Sequence, residues 1–322
     1  MNKWILLVLL FTLALFAGCK DDDGGTEQPY WRMEHLWPRG SKPIPSPVSE
    51  ALLFVQEETP AGLYLLQNGT AVHLNPSGPA IRSDYAWSQD GLHFAVSSPG
   101  EPGQGETGIY TADISAPTQL HKIWDRGSHP RYLPGNEGLI CAGPEDGSDS
   151  EGIWHYNLSQ QVWTRLTDAG SSPEISPDGL KISYLIQGTI WGKSIVVLDR
   201  VSSHRDTLGG PVVQYSWLGD SQYLVAESDS GITQFIYTVS AAGGEPLQFF
   251  GMGGYPVGLG NGNEFVYVGI TGDLLDGLFI ASPGGTPTRI SDIGTHPATI
   301  GGYRIVAQDS TGIIELRYYV PI

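Results

Sequence analysis

Basic residues are scarce in this chain: 17 Lys plus Arg stand against 34 Asp plus Glu, for a formal net charge of −17 over 322 residues. Such a surface repels phosphate backbones and anionic headgroups, which removes nucleic acid from the candidate partners. Cysteine is nearly absent, with Cys19 and Cys141 the only two, so no disulfide framework can brace the fold. Also missing are a Gly-x-Ser-x-Gly elbow, a His-Glu-x-x-His pair, a Walker-type phosphate loop and a Cys-x-x-Cys pair. Hydrolase and nucleotide-enzyme readings therefore have no motif to rest on. What the chain has in quantity is 43 Gly and 23 Pro, enough to argue against long helices. Its 40% hydrophobic content still allows a sizeable core.

Lys3 precedes an apolar run from Trp4 to Ala17, too short to span a bilayer comfortably but suited to the core of a secretory leader. The run ends in Phe16-Ala17-Gly18-Cys19, which resembles the bacterial lipoprotein signal. The resemblance implies a signal peptide over residues 1–18, lipidation of Cys19 and attachment to the membrane through more than one acyl chain. Residues 19–29 begin with Lys20-Asp21-Asp22-Asp23-Gly24-Gly25, an acidic, glycine-rich stretch that reads as a flexible tether. Lys20 followed by Asp21, Asp22 and Asp23 is similar to the export signal of surface lipoproteins in Bacteroidota-type bacteria. The expected location is the outer membrane, with cell-surface exposure as the further implication.

From residue 30 to 322 a strand–turn–strand unit recurs. Anchors at the start of its first strand fall at Pro43, Tyr85, Pro130, Pro173, Tyr215, Pro256 and Pro297, spaced 41 to 45 residues apart. Alternating apolar runs follow each turn, as in Leu92 to Val96 and Leu180 to Tyr184, and read as second strands. Third strands open on Gly62-Leu63-Tyr64, Gly108-Ile109-Tyr110, Gly152-Ile153-Trp154 and Gly277-Leu278-Phe279. Fourth strands end at Leu74, Ile123, Leu166, Leu208, Phe249 and Ile290. The seventh unit has only three strands, whereas His35-Leu36 sits seven residues before Pro43, as a fourth strand would. A period near forty residues marks a repeat architecture, and a four-stranded sheet buries both faces only when neighbours pack on it radially. The expectation is an all-β, seven-bladed β-propeller closed by an N-terminal strand, with six blades as the alternative.

Ser176-Pro177-Asp178-Gly179, the turns at Asp90 and Asp220, Trp87 and Trp217 in first strands, and the Gly-apolar-aromatic third strands together resemble the TolB-type propeller repeat. That resemblance implies envelope partner proteins, such as peptidoglycan-associated lipoproteins. The family's namesake has six blades and an α/β domain ahead of them, for which this chain has no room.

Propellers bind ligands at the channel mouth, where innermost strands begin. The residue before each anchor gives Lys42, Asp84, His129, Ser172, Gln214, Tyr255 and His296, a polar ring of candidate ligand-binding positions. His129 and His296 are the weak metal candidates, because imidazole is the commonest transition-metal ligand. Propeller-fold pectate-fragment lyases, which use channel histidines and a metal, are the fold analogy for that reading. Glu145 to Glu151 is the densest acidic loop; it lacks the EF-hand spacing and reads as solvated rather than as a Ca²⁺ site. Trp87, Trp154, Trp163 and Trp217 are expected to pack between blades, leaving Trp124 and Trp191 freer to bind. The leading expectation is a monomeric, lipid-anchored, non-catalytic module with no cofactor, engaging an envelope protein or glycan. The alternative is a metal-assisted polysaccharide lyase or hydrolase with a divalent ion in the channel.

Overall fold

The computed structural model describes residues 29–74, 84–98, 107–144, 151–188, 192–229, 233–260, 262–271, 274–300 and 304–319. Residues 1–18, read above as a signal peptide, together with Cys19, Lys20 to Asp23, residues 145–150 and Trp191, lie outside them. The chain divides into two compact units, one from Trp31 to Tyr318 and one comprising Met1–Tyr30 with Tyr319–Ile322. In the smaller unit, the rings of Tyr30 and Tyr319 stack 5.9 Å apart.

The larger unit is all β, as expected, and its sheets have a propeller arrangement. Five sheets have four strands each. The first holds Ser41–Pro45, Leu52–Gln56, Gly62–Gln67 and Thr70–His73. The second holds Tyr85–Trp87, His93–Ser98, Gly108–Asp113 and His121–Trp124. The third holds Ser128–Tyr132, Gly138–Pro144, Glu151–Asn157 and Val162–Arg165. The fourth holds Ser171–Ile175, Lys181–Gln187, Lys193–Asp199 and Arg205–Val212. The closing sheet has the order β-strand Tyr30–Trp37, Ile313–Tyr319, Arg304–Gln308, Thr295–Ile300. The N-terminal strand therefore sits on the outer edge beside the C-terminal one, and Trp31 lies against Tyr318 with ring centroids 5.2 Å apart.

The count of separate blades differs from the expectation. Five four-stranded sheets form, rather than seven or six, and the remaining strands make a single seven-stranded sheet. The cause is the eleven-residue strand Gln248–Gly258, which runs from the expected fourth strand of one repeat into the first strand of the next without a break. Its first half pairs with Gln234–Ser240 and its second half with Phe265–Thr271. Gly251, Gly253 and Gly254 make this continuity possible: a Cβ on Gly253 would stand 2.6 Å from the Val268 carbonyl oxygen, and Gly251 has φ +103°.

Apolar clusters bridge neighbouring sheets all round the unit. Leu53 and Leu65 of the first sheet pack with Tyr85 and Phe94 of the second. Ile140 and Ile153 of the third meet Ile182 and Tyr184 of the fourth. Phe54 and Tyr64 of the first meet Val306 and Ile313 of the closing sheet. Within the seven-stranded sheet, Val225 and Ile236 from one half pack on Phe265 and Tyr267 from the other. Every sheet thus buries both faces, which one four-stranded sheet alone cannot do.

The Ser-x-Asp-Gly turns have a local cause. Ser88 Oγ donates to Asp90 Oδ1 at 2.6 Å, and the same carboxylate oxygen accepts from the Leu92 amide at 2.9 Å. Ser176, Asp178 and Leu180 repeat the arrangement at 2.6 and 3.0 Å. Gly91 and Gly179 occupy the left-handed position, φ +65° and +72°, that lets the chain reverse. These hydrogen bonds, that from Ser88 foremost, hold the Asp90 carboxyl below its ordinary range.

An ion network around one buried carboxylate ties the closing sheet to the first. Glu315 is 1% exposed and is held by Arg304 and Arg317, both of which also reach Glu50, at 2.5 and 2.9 Å.

Two outcomes follow. Asp90→Ala should cost about 1 kcal/mol in urea unfolding at neutral pH. A depressed folded pKa stabilises above the unfolded value, so this difference should fade as pH falls through the folded pKa; a constant difference down to pH 2 would contradict the turn's role. Arg304→Met leaves Glu315 buried with one partner fewer and should cost about 3 kcal/mol, read as a lowered unfolding midpoint.

Candidate functional site: the channel mouth

The channel is built by one local motif. In Gly40-Ser41-Lys42-Pro43, Gly127-Ser128-His129-Pro130, Gly170-Ser171-Ser172-Pro173 and Gly294-Thr295-His296-Pro297, the residue before proline adopts a left-handed conformation, with φ between +48° and +52°. Tyr255, before Pro256, does the same at +55°. At each of these positions the register with the next strand shifts. A bulge of this kind re-aims a side chain out of the sheet's alternation. Ser41 Oγ and Thr295 Oγ1 donate to the Val55 and Gln308 carbonyls, filling the gap in the ladder.

Where the anchor is Tyr instead of Pro, the register is regular, as at Tyr85↔Val96 and Tyr215↔Ala226. There the phenol takes over the bracing. Tyr85 donates its hydroxyl to the Lys42 carbonyl, and Tyr215 to the Ser172 carbonyl at 2.9 Å, in each case in the preceding repeat. Burial pushes both phenols well above their usual range, so they stay protonated donors.

The inner strands enclose a cavity of about 650 Å³ to which all the repeats contribute. Of the seven expected ring residues, Lys42, Gln214, Tyr255 and His296 line it, whereas Asp84, His129 and Ser172 do not. Neighbouring ring members touch. His129 Nε2 lies 3.5 Å from Asp84 Oδ1. Tyr255 and His296 rings are 4.1 Å apart. Gln214 Nε2 donates to Glu227 Oε2 at 2.6 Å, and the Tyr255 amide donates to the same oxygen at 2.9 Å. Burial lowers the pKa of His129, with Asp84 opposing, and lowers that of His296, with Lys42 adding to the effect. Both imidazoles are therefore neutral at pH 7.

The structure does not bring His129 and His296 together: one has Asp84 as its partner, the other Tyr255 and Lys42. Among the described residues no three His, Cys, Asp or Glu side chains converge in a way that could hold a metal ion.

Three functional-looking residues lie outside the expected ring. Arg131 and Glu174 face the cavity from adjacent sheets and form an ion pair, with Nε and Nη2 2.9 and 2.6 Å from Oε1. Arg131 Nη1 also donates to the Pro130 carbonyl at 2.9 Å. Glu227, 3% exposed, is the acceptor that joins Gln214 to Tyr255. The sequence signal for the first two was a charge directly after a proline anchor, where an apolar strand was read.

Among the tryptophans, Trp87 Nε1 donates to the Ile44 carbonyl and Trp217 Nε1 to Ser183 Oγ, both across to the preceding sheet as expected. Trp163 reaches the Ile123 carbonyl across sheets, and Trp154, whose Nε1 donates to the Gly143 carbonyl within its own sheet, packs its ring 5.6 Å from that of Trp124 in the neighbouring one. Trp124 is a correction. It closes the strand His121–Trp124 rather than sitting in a loop, and it stacks on Trp163 at 4.4 Å, so its ring is engaged in packing.

The fold is that of a β-propeller, and the solved structures it is similar to agree. TolB from Acinetobacter baumannii shares 20% identity over 62% of this chain, with a TM-score of 0.51, and the chain spans about half of that protein's length, 51%. A putative TolB from Agrobacterium tumefaciens shares 16% identity, covering 92% of this chain and 99% of that one, with a TM-score of 0.52. Oligogalacturonate lyase from Vibrio parahaemolyticus shares 11% identity, covering 91% and 98%, with a TM-score of 0.68. At these identities the likeness is one of fold. The chain matches no protein-family model and no curated protein sequence.

The Tyr215 brace is open to test. Tyr215→Phe should lower stability by about 1 kcal/mol, measured by thermal unfolding, since it leaves the Ser172 carbonyl short of a donor. An unchanged melting temperature would contradict the bracing role.

Proposed function

We propose that this chain is a lipid-anchored envelope propeller acting as a non-catalytic binding or scaffold module, with its channel mouth as the engaged surface. The observation that carries the reading is the state of the cavity wall. Its one carboxylate, Glu174, is held by Arg131, and the remaining wall is rich in proline and aromatic rings such as Pro43, Trp87, Tyr132 and Tyr215. A wall of that kind offers rigid contact area with its one carboxylate already paired. The partner is an envelope protein or a glycan, and the TolB likeness favours a protein.

Two finer readings belong with this one. The seven-stranded sheet acts as two blades fused through Gln248–Gly258, which gives a ring of seven; the apolar cluster between its halves supports this. The leader, Cys19 and the Lys20 to Asp23 stretch would place the protein, as a monomer, at the outer membrane and on the cell surface.

The oligogalacturonate lyase likeness keeps a metal-assisted lyase as the second reading. One experiment separates the two. A photo-cross-linking amino acid at Tyr132, in cells, should yield a discrete adduct that the same residue at exposed Val162 on the outer rim does not. Purified protein should carry no stoichiometric metal. A metal present one-to-one and lost in His129→Ala/His296→Ala would overturn the non-catalytic reading.

A further inference from the structure

The cavity lining holds two cations in a strongly acidic protein, with the buried Glu227 carboxylate behind Gln214 and Tyr255. The lining carries Lys42 and Arg131 as its cations against Glu174 as its one carboxylate, whereas the whole chain has a net charge of −17. Glu174 neutralises Arg131 at 2.6 Å. Lys42 is left over: its ammonium has no hydrogen bond or ion pair among the described residues. Its neighbours in the ring are His296 and Tyr255. Thr295 Oγ1 gives its proton to the Gln308 carbonyl, so the neutral His296 donates from Nδ1 to Oγ1 at 3.3 Å and its Nε2 is a bare nitrogen that becomes a donor only on taking up a proton. Tyr255 is bonded through its backbone amide to Glu227, and its ring lies 4.1 Å from that of His296, but its hydroxyl has no partner among the described residues.

These three residues come from consecutive repeats of the ring, and all three are held left-handed, at +50°, +55° and +48°. The bulges hold their backbones, which sets where each side chain leaves the ring. Lys42 also acts electrostatically on His296, disfavouring its protonated form. An anion in the corner would relieve that repulsion.

We infer that Lys42, Tyr255 and His296 form a carboxylate-binding corner of the channel mouth, which takes the carboxylate of a small ligand about the size of a disaccharide or tripeptide. The ammonium supplies the charge-assisted hydrogen bond and the phenol fixes direction, while the imidazole joins as a donor by taking up a proton at Nε2 as the carboxylate binds. Gln214 and Arg131 do not compete for the group, because Glu227 and Glu174 already occupy them. The inference rests on the binding-module reading and names the chemistry that the mouth recognises.

The test is calorimetric titration of the purified full chain with two matched pairs of probes. One pair is the capped peptides acetyl-Gly-Glu-Gly-amide and acetyl-Gly-Gln-Gly-amide. The other is glucuronate and glucuronamide, so the pairs distinguish a peptide source of the carboxylate from a sugar source. At least one acid should bind with its neutral partner at least tenfold weaker. Lys42→Met should weaken that acid at least tenfold, and Tyr255→Phe severalfold, with thermal unfolding showing both variants folded. Should Lys42→Met unfold the protein, Lys42→Gln carries the same expectation. Equal binding of acid and neutral probes, binding indifferent to Lys42, or no binding of either acid would overturn the inference. Because cross-linking at Tyr132 does not depend on a carboxylate, an adduct there alongside failed titrations would sink this corner and leave the binding module standing.

Discussion

Circular packing is the constraint on which everything else in this molecule depends. No sheet here has a polar face to give to solvent: each lays apolar side chains against both neighbours, so each needs two neighbours. A linear stack would leave two open ends. The ring removes them by letting the N-terminal strand, from Trp31 to Trp37, complete the sheet whose other three strands are the last in the chain. Arg304, Arg317, Glu50 and Glu315 then tie that sheet to the first.

The same constraint sets the period of the sequence. Interface hydrogen bonds join residues one repeat apart: Tyr85 to Lys42, Trp87 to Ile44, Arg131 to Glu174, Tyr215 to Ser172 and Thr299 to Gly258. Each partner sits at nearly the same place in its own strand as its donor does. Radial symmetry thus converts a fixed sequence spacing into a fixed set of contacts, and the channel mouth is where those contacts converge. The cavity follows from the architecture, since every repeat contributes residues of its first strand to the wall.

Much of this was legible in the residues. The anchors, the alternating second strands and the spare strand near His35-Leu36 depend on local chemistry and spacing, and the structure has them. Of the seven ring positions, four line the cavity and three do not. Other features were hidden because they arise only between repeats. Gly251, Gly253 and Gly254 read as a connection, yet close packing against Val268 and Tyr267 draws them into one unbroken strand. Trp124 fell just past an apolar residue taken as the strand's end. The Arg131 and Glu174 pair joins two strands whose sequences, taken singly, give no sign of a partner.

Native-state hydrogen exchange on residues 31–37 tests the central claim most directly, because it asks whether the first strand belongs to the cooperative ring. If closure holds the propeller together, the hydrogen-bonded amides of this strand exchange with the same free energy as those of Ile305 to Ala307, in a single global opening. Rapid, independent exchange of residues 31–37, with the rest of the molecule still protected, would contradict the account.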